Sequence, residues 1–133
     1  MNIAVLRTIF YLAAIYDGFF GVMGIVSPYL AFDLFGVEPP NHVGYVQFPA
    51  LLLLIFGAMF WQIARDPVGN RVLMPYGIAL KAAYSGLVFY YLSTTGVPAM
   101  WVPWAWADLA FLVVFVACWR QTAVAAVEGP GGT

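Results

Sequence analysis

Residues 8–27 read TIFYLAAIYDGFFGVMGIVS. These twenty residues carry one charge, Asp17. At about 1.5 Å per residue, a helix of this length covers the ~30 Å hydrocarbon core of a bilayer. Three further stretches have the same character, near 44–64, 72–92 and 101–119. Their apolar runs are continuous instead of alternating, which excludes the strands of a membrane β-barrel. The sequence thus predicts an all-α protein: an integral membrane four-helix bundle, with residues 1–133 as a single four-span domain and no space for a second one.

Composition points the same way. Of 133 residues, 64% are hydrophobic and 8% are charged. An average soluble domain carries about a quarter charged residues, so this chain cannot cover a water-facing surface. A net charge of -1 offers no basic field for nucleic acid. The single cysteine, Cys118, excludes an internal disulfide, a CxxC pair and a Cys-rich metal site. The lone His42 excludes His-pair metal motifs. No metal or cofactor is expected. Cys118 and the methionines read as packing residues, and His42 as an outer-loop residue with no identifiable partner.

The basic residues set the orientation. Arg7 precedes the first span, Arg65 and Arg71 bracket the turn between the second and third, and Arg120 follows the fourth. With four spans all of these fall on one side. The other side carries Asp33, Glu38 and His42, and no Lys or Arg. The positive-inside rule then places both termini and the Arg65–Arg71 turn in the cytoplasm. The absence of Asn-x-Ser/Thr sites is compatible with a bacterial inner membrane. The late Arg7, the interrupting Asp17 and the three spans that follow argue against a cleavable signal. Tyr29, Phe32, Phe35, Tyr45, Tyr90, Tyr91, Trp101 and Trp104 are expected at the outer interface, and Trp61, Tyr76 and Trp119 near the inner one. The tail from Glu128 to Thr133 is expected to fray.

The connections are short except for the first outer loop, Ser27 to Val43. Ser27-Pro28 can start a short interfacial helix, with Pro at its first position and Gly36 at its end. That helix reads as a passive interfacial element or as a lid over the bundle. Asp66-Pro67 and Gly69-Asn70 make the inner turn compact, which predicts that spans two and three form an antiparallel hairpin. Pro49 lies inside span two and should loosen and kink it.

Three ionisable residues lie deep in the spans: Asp17, Lys81 and Asp108. Arg7 to Asp17 and Arg71 to Lys81 are each about 15 Å of helix, and Asp108 to Arg120 about 18 Å. All three therefore reach nearly one plane, near the middle of the membrane. Each costs about 2.5–3.5 kcal/mol there on insertion scales, and pairing of Lys81 with one or both acids offsets that cost. Small residues around Asp17 (Ala13, Ala14, Gly18, Gly21 and Gly24) let another helix approach closely. Tyr84 and Ser85 are within reach of the ammonium or a carboxylate. The Trp104 indole, one turn from Asp108, is a candidate donor to it. Gln47 is a candidate for lining an outward mouth or for interfacial solvation. Two carboxylates and one ammonium do not balance, so either one Asp is protonated or a further cation joins them. The cluster reads as a polar clasp that fixes helix register, a proton or cation path, an acid–base centre with Asp17 and Asp108 as catalytic candidates, or the floor of a binding pocket.

Tyr16-Asp17-Gly18 in the first span, Arg65-Asp66-Pro67 with Asn70-Arg71 in the inner turn, and Lys81 mid-span form a pattern that resembles the small four-helix bacterial membrane proteins grouped as DoxX-like. The resemblance covers most of the chain in layout. It implies a four-helix bundle, no single shared activity and, through relatives that are accessory subunits of membrane oxidoreductases, a redox role only with a partner. The size is also similar to that of small multidrug transporters, which use an acid in the first span; the charge bias argues against their dual-orientation assembly. On these grounds the chain is expected to be an accessory or small-hydrophobic-ligand-binding membrane component. Its binding residues would be Asp17, Lys81, Asp108, Tyr84, Trp104 and Gln47. Its expected partners are the lipid bilayer, a hydrophobic small molecule, and a second copy or larger membrane complex packed on the glycine face of span one. The alternatives are a proton- or cation-coupled small transporter and a membrane-embedded isomerase or cyclase acting on a lipid-like substrate.

Overall fold

The computed structural model describes residues 1–127, so the tail from Glu128 onward lies outside the described residues. The chain is helical: α1 (Ile3–Val26), α2 (Leu30–Phe35), α3 (Gly44–Arg65), α4 (Met74–Ser93) and α5 (Val102–Val127). Single 3-10 turns, Arg71–Leu73 and Ala99–Trp101, lead into α4 and α5. Among the described residues, four helices are long and apolar enough to cross a membrane: α1, α3, and α4 and α5 with their leading turns.

Local chemistry explains the boundaries. The Asn2 side chain accepts from the Val5 N–H at 2.9 Å and caps α1 five residues before the apolar run starts at 8. The short helix of the first loop begins at Leu30, with Pro28 in the preceding turn and not at its first position. It ends at Gly36, whose φ of 63° is the left-handed conformation that glycine adopts without a Cβ penalty. The His42 Nδ1 accepts from the Gly44 N–H at 2.9 Å, which gives this loop histidine a local role at the start of α3. α3 passes through Pro49 and stops at Asp66. There the Asp66 carboxylate accepts from the Gly69 N–H, and the Asn70 amide donates to the Gln62 and Asp66 carbonyls.

The helices pack as two close pairs, α1 with α3 and α4 with α5. The small residues of α1 make the first pair. A Cβ at Gly24 would lie 2.5 Å from the Ala50 Cβ, and one at Gly21 2.9 Å from the Ala50 carbonyl oxygen. From the other side, a Cβ on Gly57 would lie 3.2 Å from the Ala14 carbonyl oxygen. Small residues that let two backbones approach this closely give the helix pair extensive van der Waals contact. It also corrects two expectations. The glycine face of α1 is occupied by α3 within the chain and is not free for a second copy. The expected α3–α4 hairpin is not the main contact, because these helices meet chiefly near their turn, where Gly77 accommodates the Phe60 ring.

The pairs join through an aromatic layer in the arginine-side half. Phe10 stacks on Phe115 at 4.8 Å between centroids, and Phe60 lies 5.2 Å from Phe115. All three are fully buried, together with Ile63, Met74 and Cys118. At that end the Arg7 guanidinium donates to the Arg65 carbonyl at 2.7 Å. Arg71 donates to the Trp119 carbonyl at 3.2 Å and lies over the Trp119 ring. The first contact places a cation on the last carbonyl of α3, where the helix dipole favours it.

Candidate functional site

Three helices bring one charge each to the interior. Asp17 from α1, Lys81 from α4 and Asp108 from α5 are 1%, 1% and 6% exposed. The Lys81 ammonium donates to Asp17 Oδ1 at 2.7 Å and to Asp108 Oδ1 at 3.0 Å. It is thus the common partner of both acids and the electrostatic link between the two helix pairs. α3 has no charged residue before Arg65 and contributes apolar walls instead.

The ammonium is also surrounded by rings. Its nitrogen lies 5.0 Å from the centre of Tyr16, 5.4 Å from Phe111 and 5.7 Å from Phe60. Each ring face is negative, and desolvated contacts of this kind are worth up to about 2 kcal/mol. Tyr16 and Phe60 have no place among the site residues expected from sequence. Adjacency to Asp17 was an available signal for Tyr16. Phe60 had none, since nothing polar marks its position on α3.

The supporting hydrogen bonds differ from expectation. The Tyr84 hydroxyl donates to the Trp101 carbonyl at 3.0 Å, not to a charged group. Ser85 donates to the Lys81 carbonyl at 2.6 Å, one turn back on its own helix. The Trp104 indole does not donate to Asp108, and its ring packs edge-on against Phe20 at 4.6 Å. Gln47 is half-buried on α3 and lines neither cavity described below. The reason is helical geometry: α3 lines both cavities through Pro49 and Leu53, with Val46 and Ala50 three or four residues away on the same face, and Gln47 projects off that face. One fully buried atom among the described residues is unserved. Asp17 Oδ2 is buried and has no hydrogen-bond partner.

Above the ions the interior opens. A cavity of about 300 Å³ is lined by Tyr16, Asp17, Phe20, Leu80, Trp104 and Asp108 among others. It shares Phe20, Pro49, Leu53, Tyr84 and Trp104 with a larger chamber of about 780 Å³. That chamber lies between α1, α3, the start of α5 and the first outer loop, whose helix α2 contributes Leu30, Ala31, Leu34 and Phe35 to its wall. Glu38 is the charged residue lining it. The two volumes adjoin, the larger beside α2 and the smaller beside the carboxylates. Below the carboxylates, Phe10, Phe60 and Phe115 fill the interior. Among the described residues no group of three or more His, Cys, Asp or Glu side chains is arranged to hold a metal ion.

Comparison of the chain with protein-family models, with curated proteins and with solved structures finds no match.

Proposed function

We propose that this chain is a four-span membrane protein that binds a small hydrophobic molecule in the chamber above Asp17. Its ends and the Arg65–Arg71 turn would face the cytoplasm of a bacterial inner membrane, and the chamber would open toward the opposite face. The observation that carries the reading is a pair of adjoining apolar cavities, the inner one walled by the buried acids Asp17 and Asp108. Ligand sites are typically apolar clefts of about 300–1,000 Å³ with a few polar groups that fix orientation, and this space has that form. An unpartnered buried acceptor such as Asp17 Oδ2 costs about 1–3 kcal/mol, and the acids beside it give the cavity the polar end that orients a ligand.

The aromatic layer below the ions favours retention of a bound molecule over its passage, because Phe10, Phe60 and Phe115 close the arginine side. Native mass spectrometry of protein released from its own membrane tests the proposal. The wild type should retain a discrete small-molecule adduct, and Leu53→Trp, which fills the junction of the two cavities, should lose it. Wild-type protein that carries no adduct and binds no hydrophobic probe would end the proposal.

A further inference from the structure

We propose that the ligand of this chamber is a hydrophobic cation: an ammonium group at one end of an apolar body, seated at the Asp17–Asp108 pair. This rests on the binding role above and adds the chemical class. The charges that face the inner cavity are few. α1 contributes Asp17, α5 contributes Asp108, and α4 contributes Lys81 behind them. α3 contributes none, and Tyr16 and Tyr84 are phenols. The cluster therefore has a formal charge of one minus. Glu38, at the wall of the outer chamber, adds a second. The remaining basic residues, Arg7, Arg65, Arg71 and Arg120, lie at the far end of the helices. A hydrophobic molecule entering from the α2 side thus meets a negative potential in a low-dielectric space, where charge is felt most strongly.

Geometry leaves a place for one more cation. Lys81 uses Oδ1 of each acid; Asp17 Oδ2 is fully buried without a donor, while Asp108, the more exposed of the two on the cavity wall, has an Oδ2 that receives no hydrogen bond among the described residues. An incoming N–H would make a charge-assisted bond there, and one positive charge would bring the cluster to neutrality. The walls suit it as well. Tyr16, Phe20, Tyr84 and Trp104 line the inner cavity and present aromatic surface to a cation. Lys81 already shows an ammonium accommodated at this level by ring faces and carboxylates together. A neutral alcohol could donate to a carboxylate on the cavity wall but would leave the charge uncompensated.

The test compares two probes of one shape, 1-adamantanamine and 1-adamantanol, by calorimetry on the protein in lipid nanodiscs, with empty nanodiscs subtracted. The ammonium should bind the wild type about tenfold or more tightly than the alcohol. Asp17→Asn and, independently, Asp108→Asn should each remove the amine's advantage over the alcohol, with helical circular dichroism and residual alcohol binding reporting that each variant is folded. Leu53→Trp should abolish both. Equal affinities on the wild type, or a preference for the alcohol, would refute the cation and leave the chamber's binding role standing. Absence of binding by both probes would refute the two together.

Discussion

Replacing Lys81 with Met removes the charge and keeps most of the volume. In the wild type the ammonium lies 2.7 and 3.0 Å from two carboxylate oxygens. At an effective dielectric of about 20, each contact corresponds to about 5–6 kcal/mol of attraction. Desolvation opposes this by several kcal/mol per ion, so the intact cluster contributes modestly to net stability. Its disruption is another matter. Lys81→Met leaves Asp17 and Asp108 buried, mutually repelling and without a donor. Breaking a buried pair in this way costs about 3–5 kcal/mol, and the lost ring contacts of the ammonium add to it. The same substitution in an Asp17→Asn/Asp108→Asn background strands no carboxylate and should cost about 1 kcal/mol or less. The assay is reversible unfolding by SDS titration from mixed micelles, followed by helical circular dichroism. If Lys81→Met alone unfolds within about 1 kcal/mol of the wild type, the three charges do not hold the helix pairs together and the reasoning fails.

Other consequences follow from the packing and the topology. Gly24→Ala places a methyl group 2.5 Å from the Ala50 Cβ, and should lose about 1–3 kcal/mol in the same titration. Gly18→Ala meets nothing within 4 Å and should stay within about 1 kcal/mol of the wild type. Phe10→Ala opens a void in the aromatic layer and should cost about 3–5 kcal/mol, again by SDS titration. In a Cys118→Ser background, a membrane-impermeant maleimide added to intact cells should label Asn41→Cys and spare Val72→Cys until the cells are opened; the reverse pattern would invert the orientation.

The four spans are legible in the sequence because a bilayer sets a length that apolar runs must meet. Their ends are less so. α1 starts at Ile3 and α5 runs on to Val127, past the polar residues Arg120, Gln121 and Thr122. A helix obeys its backbone hydrogen bonds beyond the apolar segment, and Asn2 and the buried Thr122 serve that continuation. The common depth of Asp17, Lys81 and Asp108 follows from counting residues from the arginines. Which helix lies against the glycines of α1 does not, because small residues permit close approach without naming the partner. Tyr84 and Trp104 stand one turn from the charges, but their polar tips and rings are directed by Trp101 and Phe20, contacts that exist only after packing. The chamber is the least legible feature. It is the space left where α2 and the outer loop fold over the gap between α1, α3 and α5, and no residue pattern encodes a space.

Lys81 is the only lysine in the sequence, which makes the central claim directly measurable. Solid-state NMR on the protein in lipid bilayers, with 15N at the lysine side chain and 13C at the aspartate carboxyls, reads the dipolar coupling between them. The account expects the Lys81 nitrogen to be dephased by two carboxyl carbons, with Asp17→Asn and Asp108→Asn each removing one. A nitrogen coupled to a single carboxylate, or to none, would contradict it.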